Sequence, residues 1–174
     1  MKQIALHHTA DPSLSVQLWK VNRYHKSKWG MQSKRGWYVG YNYFVERDGR
    51  RIHTRNLDEE TVANRGHNCD VPERCDTISY CMAGDFRTQT PSEAQTADIT
   101  AFINEMTKLY PDIYVVGHRD LGQTTCPGVP QSYIDNLNKE HTNDQKEKAE
   151  ALAELQSKID IIRAMIAKIM AMLK

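Results

Sequence analysis

Two stretches of the chain place metal-binding side chains where apolar segments end. "IALHHTA", residues 4–10, runs Ile4, Ala5 and Leu6 into the adjacent pair His7 and His8. "IYVVGHRD" runs into His118, and Cys126 follows eight residues later in "TTCPG". Neutral imidazoles and a thiolate are strong zinc ligands. Three protein ligands leave a fourth tetrahedral position for water, the layout of a hydrolytic site rather than a structural one. With seven histidines present, chance pairings are easy, and a capped strand with a satisfied histidine is the plain alternative. Strand alternation puts His7 and His8 on opposite faces, so one metal takes only one of them. Parity alone does not choose which.

The other cysteines read differently. Cys69 and Cys75 lie six apart in the polar loop "HNCDVPERC". They form a disulfide in an oxidising compartment, or remain two thiols in a reducing one. Cys81, in the apolar run "ISYCMAG", reads as a buried small hydrophobe.

The elements that must hold these residues alternate along the chain. "QIALHHTA" predicts a buried strand. Leu14, Leu18, Trp19 and Val21 fit an amphipathic helix, with Ser13 or Ser15 as its cap. "WYVGYNYFVERDGRRIHTR" predicts strands at about 38–46 and 50–54 around the Asp48-Gly49 hairpin signal. "TISYCMAGDF" is a further short strand. "TPSEAQTADITAFINEMTKLYPD" predicts a helix with Thr90 as N-cap, Pro91 at the first position and Glu93 closing a capping box. The class is therefore α/β or α+β, with a mixed central sheet flanked by helices.

The bulk properties narrow the partners. At 174 residues the chain is one domain with room for an appendage. A net charge of +1 gives no global electrostatic case for nucleic acid. No stretch has the apolar length of a membrane span.

"IALHHTA", "VGYNYFVERDG", "ISYCMAGDF" and "GHRDLGQTTCPG" occur in an order and spacing that resemble the zinc-dependent N-acetylmuramoyl-L-alanine amidases. That family includes amidase-type phage lysozymes and animal peptidoglycan recognition proteins. The resemblance covers about residues 3–137. It implies that His7 rather than His8 is the first zinc ligand, with His118 and Cys126 completing the set. It places Tyr41, of the "GYN" motif, beside the metal. It gives Thr124, two residues before the cysteine, an assisting role where other members carry Thr or Lys. A groove-lining histidine is implied before the "ISYCMAG" strand, and His67 is the candidate, although the loop there is longer and carries Cys69 and Cys75.

The implied reaction is hydrolysis of the amide between N-acetylmuramic acid and L-Ala of peptidoglycan. No Asp or Glu stands at an obvious general-base position. Members that only recognise peptidoglycan typically lack the cysteine ligand, so Cys126 favours an enzyme over a binding module. A phage endolysin is the expected role, with a bacterial wall-recycling amidase as the alternative. The N-terminus lacks the apolar core of a signal peptide. Synthesis in the cytoplasm and later release to the wall is the expectation.

Several residues carry plainer expectations. His25 packs or caps near a helix end, and His53 is exposed after the hairpin. Arg119 and Asp120 either support a ligand or form a surface ion pair. The expected division is an amidase domain over 1–138, a charged joint over 139–149 and a helix over 150–174. In that helix Leu152, Leu155, Ile159, Ile162, Ile166, Ile169 and Leu173 make an unbroken heptad seam. Ile161, Met165, Met170 and Met172 widen it. A homo-oligomeric bundle is the first expectation. The rival is a helix lying in a bilayer interface, because basic residues flank the apolar face.

Overall fold

The computed structural model describes residues 1–63 and 76–172. In chain order the elements are β1 (Gln3–His8), α1 (Leu18–Trp29), β2 (Tyr43–Val45), β3 (Arg51–His53), β4 (Thr77–Met82), α2 (Glu93–Thr107), β5 (Tyr114–Gly117), a 3-10 turn (His118–Asp120) and α3 (Gln131–Met172). The class is α+β. The described strands form one mixed sheet in the order β3-β2-β4-β1-β5. β1 runs parallel to both neighbours, β4 and β5, and only the β2–β3 hairpin is antiparallel. All six residues of β1 and of β4 are buried, as central strands of a parallel sheet must be.

The two faces of the sheet differ. Ile4 and Leu6 of β1 join Ile78, Tyr80 and Met82 of β4 on one face. There they pack under Ile99, Phe102 and Ile103 of α2 and Ile134 and Leu137 of α3. Each such side chain contributes about 1.5–3 kcal/mol when buried. The alternate residues face the other way, where Phe44, Cys81 and Ala83 meet Leu18 of α1 and Val39 in a smaller cluster. Alternation therefore gives the chain one thick apolar layer and one thin one, and His7 belongs to the thin side.

Helix starts are corrected by non-local partners. α1 begins at Leu18, after Gln17, and Ser13 and Ser15 precede it in the loop. The Glu46 carboxylate, 2% exposed, accepts from Gln17 N–H at 3.0 Å and Leu18 N–H at 2.8 Å. A carboxylate there satisfies orphan amides and meets the positive end of the helix dipole, worth about 1–2 kcal/mol. α2 starts two residues later than its sequence predicts. Ser92 is its N-cap, and the capping box closes with Gln95 rather than Glu93. The strands of the hairpin are shorter than read: the amides of Tyr38 and Gly40 go to side chains, the Asn22 Oδ1 and the His25 Nδ1, instead of a ladder.

The chain divides into two compact units, Met1–Asn138 and Lys139–Lys174. Residues 139–149, read as a joint, are helical throughout within α3. In the second unit Leu152, Leu155, Ile162, Ile166 and Ile169 are each more than half exposed. Its charges pair along the helix, as in Glu154–Lys158 at 2.6 Å and Asp160–Arg163 at 3.5 Å. Leu173 falls outside the described residues.

Candidate metal centre

His7 is the last residue but one of β1, and His118 opens the turn directly after β5. β1 and β5 pair in parallel with Leu6 opposite Gly117, so the next residue of each strand brings its imidazole to the same edge. The two rings lie 4.5 Å apart, centroid to centroid. Carboxyl ends of parallel strands are where such sheets place their sites. Cys126 arrives from the following loop. Arg119 N–H donates to the Cys126 carbonyl at 2.8 Å, and the Arg119 guanidinium donates to the Val129 carbonyl at 2.7 Å. The sequence offered Arg119 and Asp120 as a ligand support or a surface ion pair. Arg119 takes the first of these roles, tying down the cysteine loop through the Cys126 carbonyl, and the Asp120 carboxylate accepts from Gly117 N–H at 2.7 Å.

One nitrogen of His7, one of His118 and the Cys126 sulfur all lie within 4.8 Å of one another. Cys126 Sγ is 3.7 Å from His7 Nδ1. Tetrahedral zinc with Zn–N near 2.0–2.1 Å and Zn–S near 2.3 Å separates its ligand atoms by about 3.3–3.8 Å. The donor set fits that ion. Burial lowers the His118 pKa and so favours the neutral imidazole a metal requires. Burial pushes the Cys126 thiol up to about 11, so a thiolate in this pocket needs a cation beside it.

His8 points to the opposite face. Its Nδ1 accepts from Phe86 N–H at 3.2 Å. The Asp85 carboxylate is 3.8 Å from the same nitrogen, but this is no ion pair: the lone pair is already used, and burial lowers the His8 pKa. Its ring lies under Gly128, where φ is +80° and an added Cβ would come within 3.1 Å of His8 Cε1. His8 thus packs beneath the turn that follows Cys126.

Tyr41 stands over the cluster, its ring 5.1 Å from that of His7. Burial raises its phenol pKa well above the ordinary value, so the hydroxyl keeps its proton. Thr124 is exposed, and its hydroxyl oxygen accepts from Cys126 N–H at 3.2 Å. The sequence profile of the N-acetylmuramoyl-L-alanine amidase family, Amidase_2, matches residues 1–129.

The chain belongs to that amidase family.

Its fold recurs in solved structures. The Ph2119 endolysin of Thermus scotoductus MAT2119 bacteriophage Ph2119 superposes with a TM-score of 0.61 at 26% identity, covering 78% of this chain and 83% of that one. The N-acetylmuramoyl-L-alanine amidase LysC of Clostridium intestinale URNW gives 0.61 at 22% identity, covering 78% and 83%. The peptidoglycan recognition proteins LCa and LCx, in an ectodomain complex with tracheal cytotoxin, give 0.61 at 25% identity over 74% and 76%. No curated protein matches the chain by sequence.

Within this amidase-family chain, His67, Cys69 and Cys75 lie outside the described residues. His53, expected to be exposed, is half-buried and stacks on Tyr43 at 4.4 Å. Sequence reasoning missed two neighbours of Tyr41. Cys81 is opposite His7 in the β1–β4 register, in the small buried cluster against which Tyr41 packs. His25 touches the Tyr41 ring from α1. Neither carries a local signal, since both approaches depend on sheet register and helix packing. Asn42 was quoted only as part of "GYN". Its Oδ1 accepts from Ser79 N–H at 2.8 Å and its Nδ2 donates to the Asn56 carbonyl at 2.9 Å, fastening this loop to β4.

Proposed function

We propose that the protein is a zinc-dependent N-acetylmuramoyl-L-alanine amidase. It hydrolyses the amide between N-acetylmuramic acid and L-Ala of peptidoglycan and serves as a phage endolysin. The observation that carries the reading is the convergence of His7, His118 and Cys126 beneath Tyr41. The presence of Cys126 favours hydrolysis over peptidoglycan recognition alone. When bound by these three side chains, zinc supplies Lewis acidity toward the scissile carbonyl and lowers the pKa of water to about 7. Tyr41, protonated and half-buried, donates a hydrogen bond to the carbonyl oxygen as charge builds there. Thr124 accepts the Cys126 amide and keeps its own hydroxyl proton to orient water or substrate. The endolysin role draws support from likeness to the Ph2119 endolysin, and no helix among the described residues is long and apolar enough to cross a membrane.

The test is chemical. Purified protein with stoichiometric zinc should release new N-terminal alanine from walls, without new reducing sugar ends. Chelation should abolish this, and added zinc should restore it. Release of any other end group overturns the assignment.

The reading extends to residues 150–174. The exposed seam from Leu152 to Ile169 is the buried face of a self-associated helical bundle, and isoleucine at both core positions favours three or four strands. Several linked catalytic domains would raise avidity for a polymeric wall. Ile162→Asp with Ile166→Asp should turn an oligomer into a monomer by sedimentation. A monomeric parent chain, or liposome leakage that depends on residues 150–174, would overturn the bundle.

A further inference from the structure

We propose that His25, which lies outside the metal cluster, is a positioning residue whose Nδ1 holds the Gly40 amide and so sets the Tyr41 phenol over the cluster. The inference rests on the amidase reading for what Tyr41 does, though the clamp itself has a readout of its own.

His25 is 5% exposed, near the end of α1. Its Nδ1 accepts from Gly40 N–H at 2.9 Å. That bond requires the tautomer with its proton on Nε2. Burial lowers the pKa to about 4, so the accepting lone pair persists at neutral pH. The ring is wedged between two aromatics, Trp29 edge-on at 4.6 Å and Tyr41 at 5.6 Å. The imidazole therefore touches both the peptide that precedes Tyr41 and the ring of Tyr41 itself.

The approach is built for a glycine. A Cβ at residue 40 would stand 2.1 Å from Val62 Cγ2 and 3.5 Å from His25 Nδ1. The following backbone is tied at each step. The Tyr41 carbonyl accepts from Thr54 Oγ1 at 2.8 Å, and Asn42 N–H donates to the Ser79 carbonyl at 3.0 Å. The Tyr41 side chain packs against the cluster of Leu18, Val39, Phe44 and Cys81. Remove the His25 acceptor, and the segment is released on the side where the chain enters. Small displacements of a group aimed at a transition state are costly, about 100-fold in rate for 1 Å.

The experiment compares His25→Phe, which keeps an aromatic ring and loses the acceptor, with His25→Asn, whose Oδ1 can replace Nδ1. In metal-free protein, Gly40 amide exchange by NMR should be about tenfold faster in His25→Phe and protected in His25→Asn. With zinc loaded and a soluble muramoyl-tripeptide as substrate, His25→Phe should lower kcat by about 10–100-fold. KM and zinc content should hold, and His25→Asn should recover most of the rate. In a Tyr41→Phe background, His25→Phe should cost little more, because both act through one group. Unchanged Gly40 exchange in His25→Phe overturns the clamp. So does a kcat loss of the same size with and without the Tyr41 hydroxyl. If the parent protein cleaves no muramoyl-alanine bond, the amidase reading fails separately, and Gly40 exchange still decides the clamp.

Discussion

Cys126→Ala is expected to strip the protein of zinc and of wall-lysing activity together. The thiolate is one of three donors, and two imidazoles alone make a weak site. Loss of the metal removes several kcal/mol of transition-state stabilisation, so lysis should fall by about 1,000-fold or more. The fold should tolerate the change, because Cys126 is half-buried in a loop whose position is held by Arg119 and Val129. Metal analysis, turbidity clearing and thermal unfolding of the metal-free form, run on one preparation, separate the terms. A variant that keeps one zinc per chain, or clears walls at the parent rate, would defeat the metal-centre reading.

The second large effect is an asymmetry between neighbours. His7→Ala should lose zinc and activity. His8→Ala should keep zinc and lose stability. His8 is the acceptor for a buried amide, that of Phe86, and it fills the space beneath Gly128. Orphaning that amide and leaving a cavity should cost about 2 kcal/mol, a Tm drop of about 8 °C. Calorimetry beside zinc titration checks both halves. Equal zinc loss from the two variants would overturn the choice of His7 over His8 as the ligand.

What could be read from the chain, and what could not, divides by range. Strand ends at His7 and His118 were legible because apolar runs stop there. Cys126 was legible from its place in "TTCPG". The resemblance chose His7 over His8, which alternation could not do. The start of α2 was nearly legible: "TPSE" and "SEAQ" are overlapping capping patterns two residues apart, and the second prevailed. The cap of α1 was not legible, since its acceptor, Glu46, is 28 residues from Leu18 in sequence. The same holds for Cys81 and His25. Each looked like ordinary packing until the β1–β4 register and the seat of α1 brought them to Tyr41. The charged composition of 139–149 marked a joint, and those residues are helical within α3.

The parallel placement of β1 between β4 and β5 has a kinetic meaning. β1 precedes both its partners, β4 and β5, by long stretches of chain. His7 meets Cys126 across 119 residues. Such pairings close large loops before any contact repays them, which makes folding slow. During synthesis β1, with its two histidines, must wait for both partners to emerge. A chain interrupted anywhere before the "TTCPG" loop therefore lacks Cys126, and the cluster of His7, His118 and Cys126 forms only when the whole domain has folded.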